Sequence, residues 1–576
     1  MPTTLQHPVV FTDKANCRDC YRCLRQCPVK AIRMADSQAR VDPERCIACG
    51  TCIRQCPQGA KQYRQDLPRV QQWAREGRPL AASLAPSFVA AFAPEHHKRL
   101  ISALRKLGFG FVAETAVGAW SVAQQVATIA QAEPNRAHIC TACPAAVNYV
   151  EHYYPDLSDQ LMPLASPMAA HGRHLAEQLG EETKLVFLGP CVAKKDEANR
   201  ASNPIDCALT FAELRSWLEQ EDIDLNTLEE SDFDEVPGEN ARLFPLSGGL
   251  AKTAQLETDL LSMNVVAASG VEELDHLFQS LRQRPRAVLV DPLFCSQGCA
   301  NGPAMGCDSS LFDRRDAILT HSETRDARDP ITIAPGTLRE SYSAQPLAEE
   351  TFSDEEIRAT LRATGKAVPA DELDCGACGY DSCRDKARAV LSGMAEADMC
   401  IPYMRRLAEQ RTDRIIETSP NGIVILDRDL RILAMNPAFE RMFSCSDAIL
   451  SRRISYLMDP GRFERLAASE TTLVEETVFH DRYNLLCREL CYTMGDEEQY
   501  VGVFVNITQP EASAEKLDEL RKQTVLQAQQ LMDHQIQLAQ RIAAMLGEST
   551  AQGEELLNTL LQLSGPNESN DHGLPA

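Results

Sequence analysis

Two cysteine quartets near the N-terminus constrain this chain more than any other feature. Cys17, Cys20, Cys23 and Cys27 precede Pro28, and Cys46, Cys49, Cys52 and Cys56 precede Pro57. Both runs read C-x2-C-x2-C-x3-C-P, a spacing in which consecutive thiolates wrap one 4Fe–4S cube while the fourth reaches its neighbour. The spacing predicts one cluster on Cys17, Cys20, Cys23 and Cys56, and a second on Cys46, Cys49, Cys52 and Cys27. So short a segment cannot bury a large apolar core, and the clusters act as its core. A disulfide framework belongs to small secreted chains. Zinc usually takes two ligand pairs separated by a longer loop, which these tight quartets do not supply.

At 576 residues the chain is expected to hold several domains. No uninterrupted apolar stretch approaches the roughly 20 residues of a membrane helix. Residues 1–12 lack a charged start followed by an apolar run, so no signal peptide and no membrane span are expected. A cytoplasmic location follows, where reduced thiols can hold metal. Net charge is −24, from 82 acidic against 58 basic residues. Phosphate binding wants clustered Lys and Arg, so nucleic acid is not an expected partner. The acidic stretches 219–239 and 349–356 read as solvated surface.

The texture of the chain divides into five segments, a multidomain α/β and α+β architecture. Residues 8–68 form the two-cluster, ferredoxin-like module. Across 79–320, apolar strand-like runs (80–84, 184–189, 287–291) alternate with helical stretches (97–107, 211–219), the pattern of parallel sheets with functional loops at the strand ends. A polar stretch over 321–356 reads as a separator. A small cysteine-bearing domain over 356–408 follows. Residues 412–508 begin strand, turn, strand (422–426, 430–434), open a helix at Asn436-Pro437, and continue with strands over 473–479, 485–493 and 499–507. A helix over 511–563 carries Leu517, Leu531, Leu538 and Met545 on a seven-residue spacing broken at Thr524, an imperfect coiled-coil seam.

Three strings in the second segment place cysteine far apart in sequence. They are Cys140-Thr141-Ala142-Cys143-Pro144, Gly189-Pro190-Cys191-Val192-Ala193-Lys194-Lys195-Asp196-Glu197, and Phe294-Cys295-Ser296-Gln297-Gly298-Cys299. Cys143, Cys191, Cys295 and Cys299 supply four thiolates from three loops, enough for a further cube. The strings resemble the three signature loops of the catalytic domain of FeFe (iron-only) hydrogenases, over about 79–320, with the ferredoxin module where that family has one. The resemblance implies that these cysteines hold a 4Fe–4S cube bridged by Cys299 to a two-iron centre carrying CO, cyanide and a dithiolate. It implies that Lys194 pairs with a cyanide ligand and that Glu197 is the acidic residue following it. Ala85-Pro86-Ser87 is similar to the family's loop near the second cyanide, and Ser247-Gly248-Gly249 to a glycine turn near the site.

The chain also departs from that family. Catalytic members carry a proton-relaying cysteine where this chain has Ala142, and a methyl group cannot move a proton. Flanking methionines are replaced by Gly189 and Leu293, and the glycine run after the last ligand shrinks to Asn301-Gly302-Pro303. An oxidoreductase of H2 and protons is implied, slowed by the missing relay. Cys140 and Cys307 lie nearby in sequence, as substitute relays or as small buried residues.

Cys375, Cys378, Cys383 and Cys400 form a further quartet, with a helical stretch over 384–399 carrying the last ligand back. It resembles a small 4Fe–4S domain found in electron-transfer proteins and in sensory hydrogenases, with zinc as the alternative, and brings the expected cubes to four. Residues 412–508 resemble a PAS domain, a sensor and dimerisation fold. Its Cys445, Cys487 and Cys491 read as buried apolar residues in preference to ligands, and His480 as a surface residue. His534 lacks a phosphoacceptor context, and no ATP-binding domain follows. The combined resemblance implies an H2 or redox sensor that homodimerises through the PAS domain and C-terminal helix. Its expected partners are H2 and protons, a redox partner such as ferredoxin, and a separate signalling kinase or phosphatase. A working hydrogenase and a non-catalytic 4Fe–4S redox hub are the alternatives.

Overall fold

A computed structural model describes residues 8–508 except 257–263, 325–326, 349, 469–470 and 495–498, and leaves out the side chains of 409–413. The helix expected over 511–563, with its His534, lies outside the described residues. The chain divides between Met399 and Cys400 into two units, each taken by itself.

The first unit opens with two short antiparallel pairs, Val10–Thr12 with Lys61–Tyr63 and Ile32–Ala35 with Gln38–Val41. Each quartet ends on a five-residue helix, Arg22–Gln26 or Thr51–Gln55, with Cys27 or Cys56 as its C-cap. The second helix starts from Gly50 at φ +75°, where a Cβ would lie 2.6 Å from the Pro303 ring. Glycine therefore lets this loop close onto the chain just after Cys299.

Two parallel sheets follow. One runs Phe109–Glu114, Leu80–Leu84, Lys184–Gly189, Cys207–Thr210; the other runs Val265–Ser269, Val288–Leu293, Ala137–Ile139. All five residues of Leu80–Leu84 are buried, as expected for a strand covered on both faces. The runs at 80–84 and 184–189 are strands as read, and that at 287–291 extends to Val288–Leu293. The stretches at 97–107 and 211–219 are the helices His97–Lys106 and Phe211–Gln220, the latter opened by a capping box of Thr210 and Glu213.

Three readings are corrected. Residues 331–342 are a strap, because Ile333 and Leu338 bury themselves beside Val117, Met162 and Leu164. Ile331 N–H donates to the Val236 carbonyl at 3.1 Å and Tyr342 OH to the Leu164 carbonyl at 3.0 Å. In the acidic stretch 219–239, Glu235 is buried, because His171 and His174 bracket its carboxylate. The helix read over 384–399 is Cys383–Leu391; Gly393, at φ +68°, turns the chain into the single turn Ala397–Met399.

The second unit starts with Ile401–Thr418, for which Cys400 is the N-cap. A five-stranded antiparallel sheet follows in the order Ile432–Met435, Gly422–Leu426, Gln499–Asn506, Leu485–Met494, Leu473–His480. Alternation along Leu485–Met494 sends Leu485, Cys487, Glu489 and Cys491 inward against Phe439, Phe443 and Phe463. His480 is a second correction to the surface assignments: it is buried because its ring meets Glu489 at 2.5 Å and packs edge-on to Phe443. Cys487 and Cys491 are buried in the sheet's core.

Candidate metal centre

In the first module the thiols come within electrostatic reach of one another in two crossed sets. Cys23 lies in the electrostatic field of Cys17, Cys20 and Cys56, and burial with that repulsion pushes it up to about 11. Cys52 lies in the field of Cys49, Cys46 and Cys27, and is pushed well up for the same reasons. The crossing follows from the two short helices packing together, which swaps the C-cap cysteines between sets.

The second thiol set sits at the carboxyl ends of parallel strands, where loops are free to converge. Ile139, Gly189 and Leu293 end the strands that lead to Cys143, Cys191 and Cys295. Cys295 feels Cys191, Cys299 and Cys143, so four thiols from three loops share one region. Burial, with Cys143 beside it, pushes Cys191 up to about 12. Four thiolates there need a positively charged core to neutralise them, which an iron–sulfur cube supplies. Among the described residues no three His, Cys, Asp or Glu groups crowd one point as ligands of a single ion would.

Lys194, on the helix Ala193–Glu197, donates to Glu197 Oε2 at 2.6 Å, Ser166 Oγ at 3.0 Å and the Ala142 carbonyl at 3.3 Å. Ser166 also donates to Glu197. Ala142, Lys194 and Glu197 are thus brought together around a serine that the motif strings do not contain. Its only sequence signal was Ser166-Pro167 opening a helix, an N-cap. Ala85, Pro86 and Ser87 leave the end of Leu80–Leu84 and are buried. Ser87 Oγ is buried without a partner, the state of a hydroxyl that awaits an acceptor. The set fits the implied cofactor: four thiols, a buried ammonium and a free buried hydroxyl.

In the glycine turn, Gly248 sits at φ +80° and Gly249 is buried, while Ser247 is exposed. At Gly189 a Cβ would lie 2.6 Å from the Phe187 ring, so Phe187 fills that space. Cys140 is a core thiol, 3.8 Å from Met162 Sδ. Cys307 lies 3.4 Å from the Ala90 carbonyl, partly covered.

Missed in the sequence were Asp291 and Lys195. Asp291 is buried one strand-end before Cys295, with Oδ2 unpartnered. Lys195 is buried between Asp66 at 3.0 Å and Glu213 at 2.8 Å. The cysteine loops also make a contiguous path. Arg54 donates to the Asn301 carbonyl at 2.8 Å, and Lys30 Nζ to the Gly379 carbonyl at 2.8 Å. The loop carrying Cys46–Cys56 therefore touches the loop after Cys299, and the 375–383 loop touches the first module. Cys375 is exposed, while Cys378 and Cys383 are half-buried.

Comparison with known proteins gives this arrangement its relatives. Residues 78–303 match the model of the iron-only hydrogenase large subunit, C-terminal domain, and 9–57 a 4Fe–4S dicluster domain. Residues 371–402 match a putative Fe–S cluster model and 410–477 a PAS domain. Iron hydrogenase 1 of Clostridium pasteurianum is 24% identical over 273 residues, covering 38% of this chain and 47% of the relative. The periplasmic Fe hydrogenase large subunit of Nitratidesulfovibrio vulgaris is 29% identical over 279 residues, covering 42% of this chain and 66% of the relative. The chain thus spans between about half and two thirds of the length of these relatives. A solved variant FeFe-hydrogenase from Chlamydomonas reinhardtii aligns at 18% identity and TM-score 0.39, covering 49% of this chain and 100% of that one. The PAS domain of an HTR-like protein from Haloarcula marismortui aligns at 18% identity and TM-score 0.16, covering 18% of this chain and 98% of that one.

Proposed function

We propose that this chain, an FeFe-hydrogenase-like iron–sulfur protein with a PAS domain, senses H2 or redox state at a two-iron centre tethered by Cys299. The observation that carries the reading is the meeting of Cys143, Cys191, Cys295 and Cys299 near Lys194, with the unpartnered Ser87 hydroxyl following the strand that pairs with Lys184–Gly189. When bound, the two-iron centre supplies the splitting of H2 or the reduction of protons. Every other role falls to the chain. The four cysteines would hold the adjoining cube, with Cys299 as the tether to the two-iron centre. Lys194, oriented by Glu197 and Ser166, supplies a fixed positive charge, and Ser87 Oγ supplies a hydrogen-bond donor.

The two N-terminal quartets would supply an electron route, and the loop carrying Cys46–Cys56 abuts the loop after Cys299. A fourth cube on Cys375, Cys378, Cys383 and Cys400 is read from the spacing alone. The domains are taken as 8–68, 79–320, 356–408 and 412–508, followed by the helix over 511–563. Ala142 cannot relay protons, which favours slow turnover suited to sensing. The output is a shift in a two-state PAS homodimer, read by a separate kinase or phosphatase, with ferredoxin-type proteins as redox partners. No helix among the described residues is long and apolar enough to cross a membrane, and a cytoplasmic setting suits reduced thiols.

A second reading, a cluster-only redox hub, draws on Lys194 already having three protein acceptors. Infrared spectra of the anaerobically matured chain, with and without H2, separate the two. Bands of metal-bound CO and cyanide that move under H2 uphold the sensor. Their absence from protein with full cubane iron, about 16 atoms for four cubes, upholds the hub. Metabolic rates of H2 turnover in protein with those bands would instead make it a working hydrogenase.

A further inference from the structure

Asp291 lies on Val288–Leu293 and is 2% exposed. One carboxylate oxygen accepts from the backbone N–H groups of Gly248 and Leu250, at the start of the helix Gly249–Thr253. The other, Oδ2, is buried without a partner. Other buried acids of the first unit are treated differently. Glu114 is paired with Arg242 and His321, Glu213 with Lys195, Glu151 with Arg200, and Glu197 with Lys194. Among the described residues, no salt bridge reaches Asp291.

An unpaired carboxylate in such surroundings is costly, so burial favours the protonated form. Burial pushes Asp291 up to about 7, against the pull of the two backbone N–H groups. Two thiols feel its charge, and on the adjoining strand Ala137–Ile139 the imidazole of His138 is engaged with the Glu133 carbonyl at 2.9 Å. Cys299 lies within electrostatic reach, and so does Cys140, whose N–H donates to the Val290 carbonyl at 2.9 Å. The adjoining strand Val265–Ser269 sets Ala267 opposite Asp291 and carries no ionisable side chain.

We propose that Asp291, on the strand that leads into the Cys295–Cys299 loop, is the proton-holding group of this site, giving and taking a proton at Oδ2. The inference rests on the reading that Cys299 tethers a two-iron centre. In giving its proton the O–H bond of Oδ2 breaks and the electron pair stays on the carboxylate, and in taking one a lone pair of Oδ2 forms that bond again, so Asp291 moves between acid and carboxylate with no change of oxidation state. A merely structural Asp291 would only cap the turn at 248–250, and Asn would cap it equally well, since it keeps the accepting oxygen.

The test is infrared titration of the full, matured chain across neutral pH, with carbon-13 in its aspartates, beside Asp291→Asn. The expected result is a labelled carboxylic-acid carbonyl band that disappears with a midpoint near 7 in the natural chain and is missing from the variant. The CO and cyanide bands should move with the same midpoint in the natural chain and stay fixed in Asp291→Asn, whose H2 turnover should fall about 100-fold or more. Absence of the labelled band, which needs no variant to observe, overturns the proposal. So do CO and cyanide bands that titrate equally in both proteins. A titrating Asp291 in a chain without CO and cyanide bands overturns the two-iron reading and, with it, the proton-donating role; the carboxyl titration then remains as an isolated buried acid.

Discussion

At Gly298 the backbone sits at φ +86°, and a Cβ there would lie 2.2 Å from the Pro245 carbonyl oxygen. That carbonyl accepts the Cys299 N–H at 2.7 Å, so the glycine fixes where the Cys299 thiol begins. Gly298→Ala should cost about 1–2 kcal/mol in left-handed backbone strain and push the two segments apart. The measurable result is a loss of cube iron from this site, with the N-terminal clusters retained in their paramagnetic spectra. Position 142 offers the opposite experiment. Ala142 packs beside the Lys194, Ser166 and Glu197 group, through its carbonyl 3.3 Å from Lys194 Nζ. Ala142→Cys should raise H2 turnover by about 100-fold or more, the low end of what a positioned acid–base group contributes. An unchanged rate in protein with full CO and cyanide bands would show that a thiol at 142 opens no proton route of its own.

Elements are joined by buried charges that motif reading passes over. Lys195 adjoins Lys194 in sequence but points away from the thiols, between Asp66 at the start of the helix Leu67–Arg75 and Glu213 of Phe211–Gln220. Its third partner is the Ala208 carbonyl at 2.8 Å. Lys195→Met leaves the buried Glu213 without its cation and Asp66 with Arg64 alone at 2.8 Å, and should cost roughly 3–5 kcal/mol. All three tryptophans, Trp73, Trp120 and Trp217, belong to the first unit, so their fluorescence in a urea titration reads this loss without interference from the second. In the second unit Asn436 plays the equivalent part. Its Nδ2 donates to the carbonyls of Ile416 and Asn421, both at 2.9 Å, and its Oδ1 accepts from Ile423 and Phe439. One side chain thus ties the end of Ile401–Thr418 to the first strand and the first helix of the sheet domain. Asn436→Ala should cost roughly 2–4 kcal/mol, from a lost cap and stranded buried carbonyls. Hydrogen exchange should show earlier opening of Ile401–Thr418 than of the strands.

Across the whole first unit, acid stability rests on a few buried carboxylates. Burial alone would raise Glu114, but His321 and Arg242 beside it hold it down at about 2. Glu235 behaves likewise, held at about 2 by His171 and His174 against its own burial. Folded values below the ordinary 4.5 mean stability that is present above 4.5 and lost as pH falls toward 2. For Glu114 that amounts to about 3 kcal/mol. His174 has the opposite sign, because its hydrogen bond to Glu235 raises it. Its contribution is complete below 6.5 and fades as pH rises through the raised value. Tryptophan-monitored urea midpoints should therefore fall steeply between about pH 4.5 and 3, and Glu114→Gln should flatten that fall while lowering the midpoint at neutral pH.

The sequence by itself determined the features that depend on spacing along the chain. The two tight quartets were legible because the C-x2-C-x2-C-x3-C spacing suits few arrangements of thiols, while the packing of the two short helices crosses their C-cap cysteines. The strand at 80–84 and the capped turn at Asn436-Pro437 were legible because an apolar run or a cap is a local signal. What only the tertiary structure decided are the facts that depend on burial. Asp291 in its strand, Lys195 in a run of charges, and Glu235 and His480 in polar stretches carry no local mark of being enclosed. Each becomes chemically distinct once packing removes water and leaves, or withholds, a partner. The strap at 331–342 was misread for the same reason: two apolar residues suffice to hold a polar segment down, but only when the surface that receives them is known.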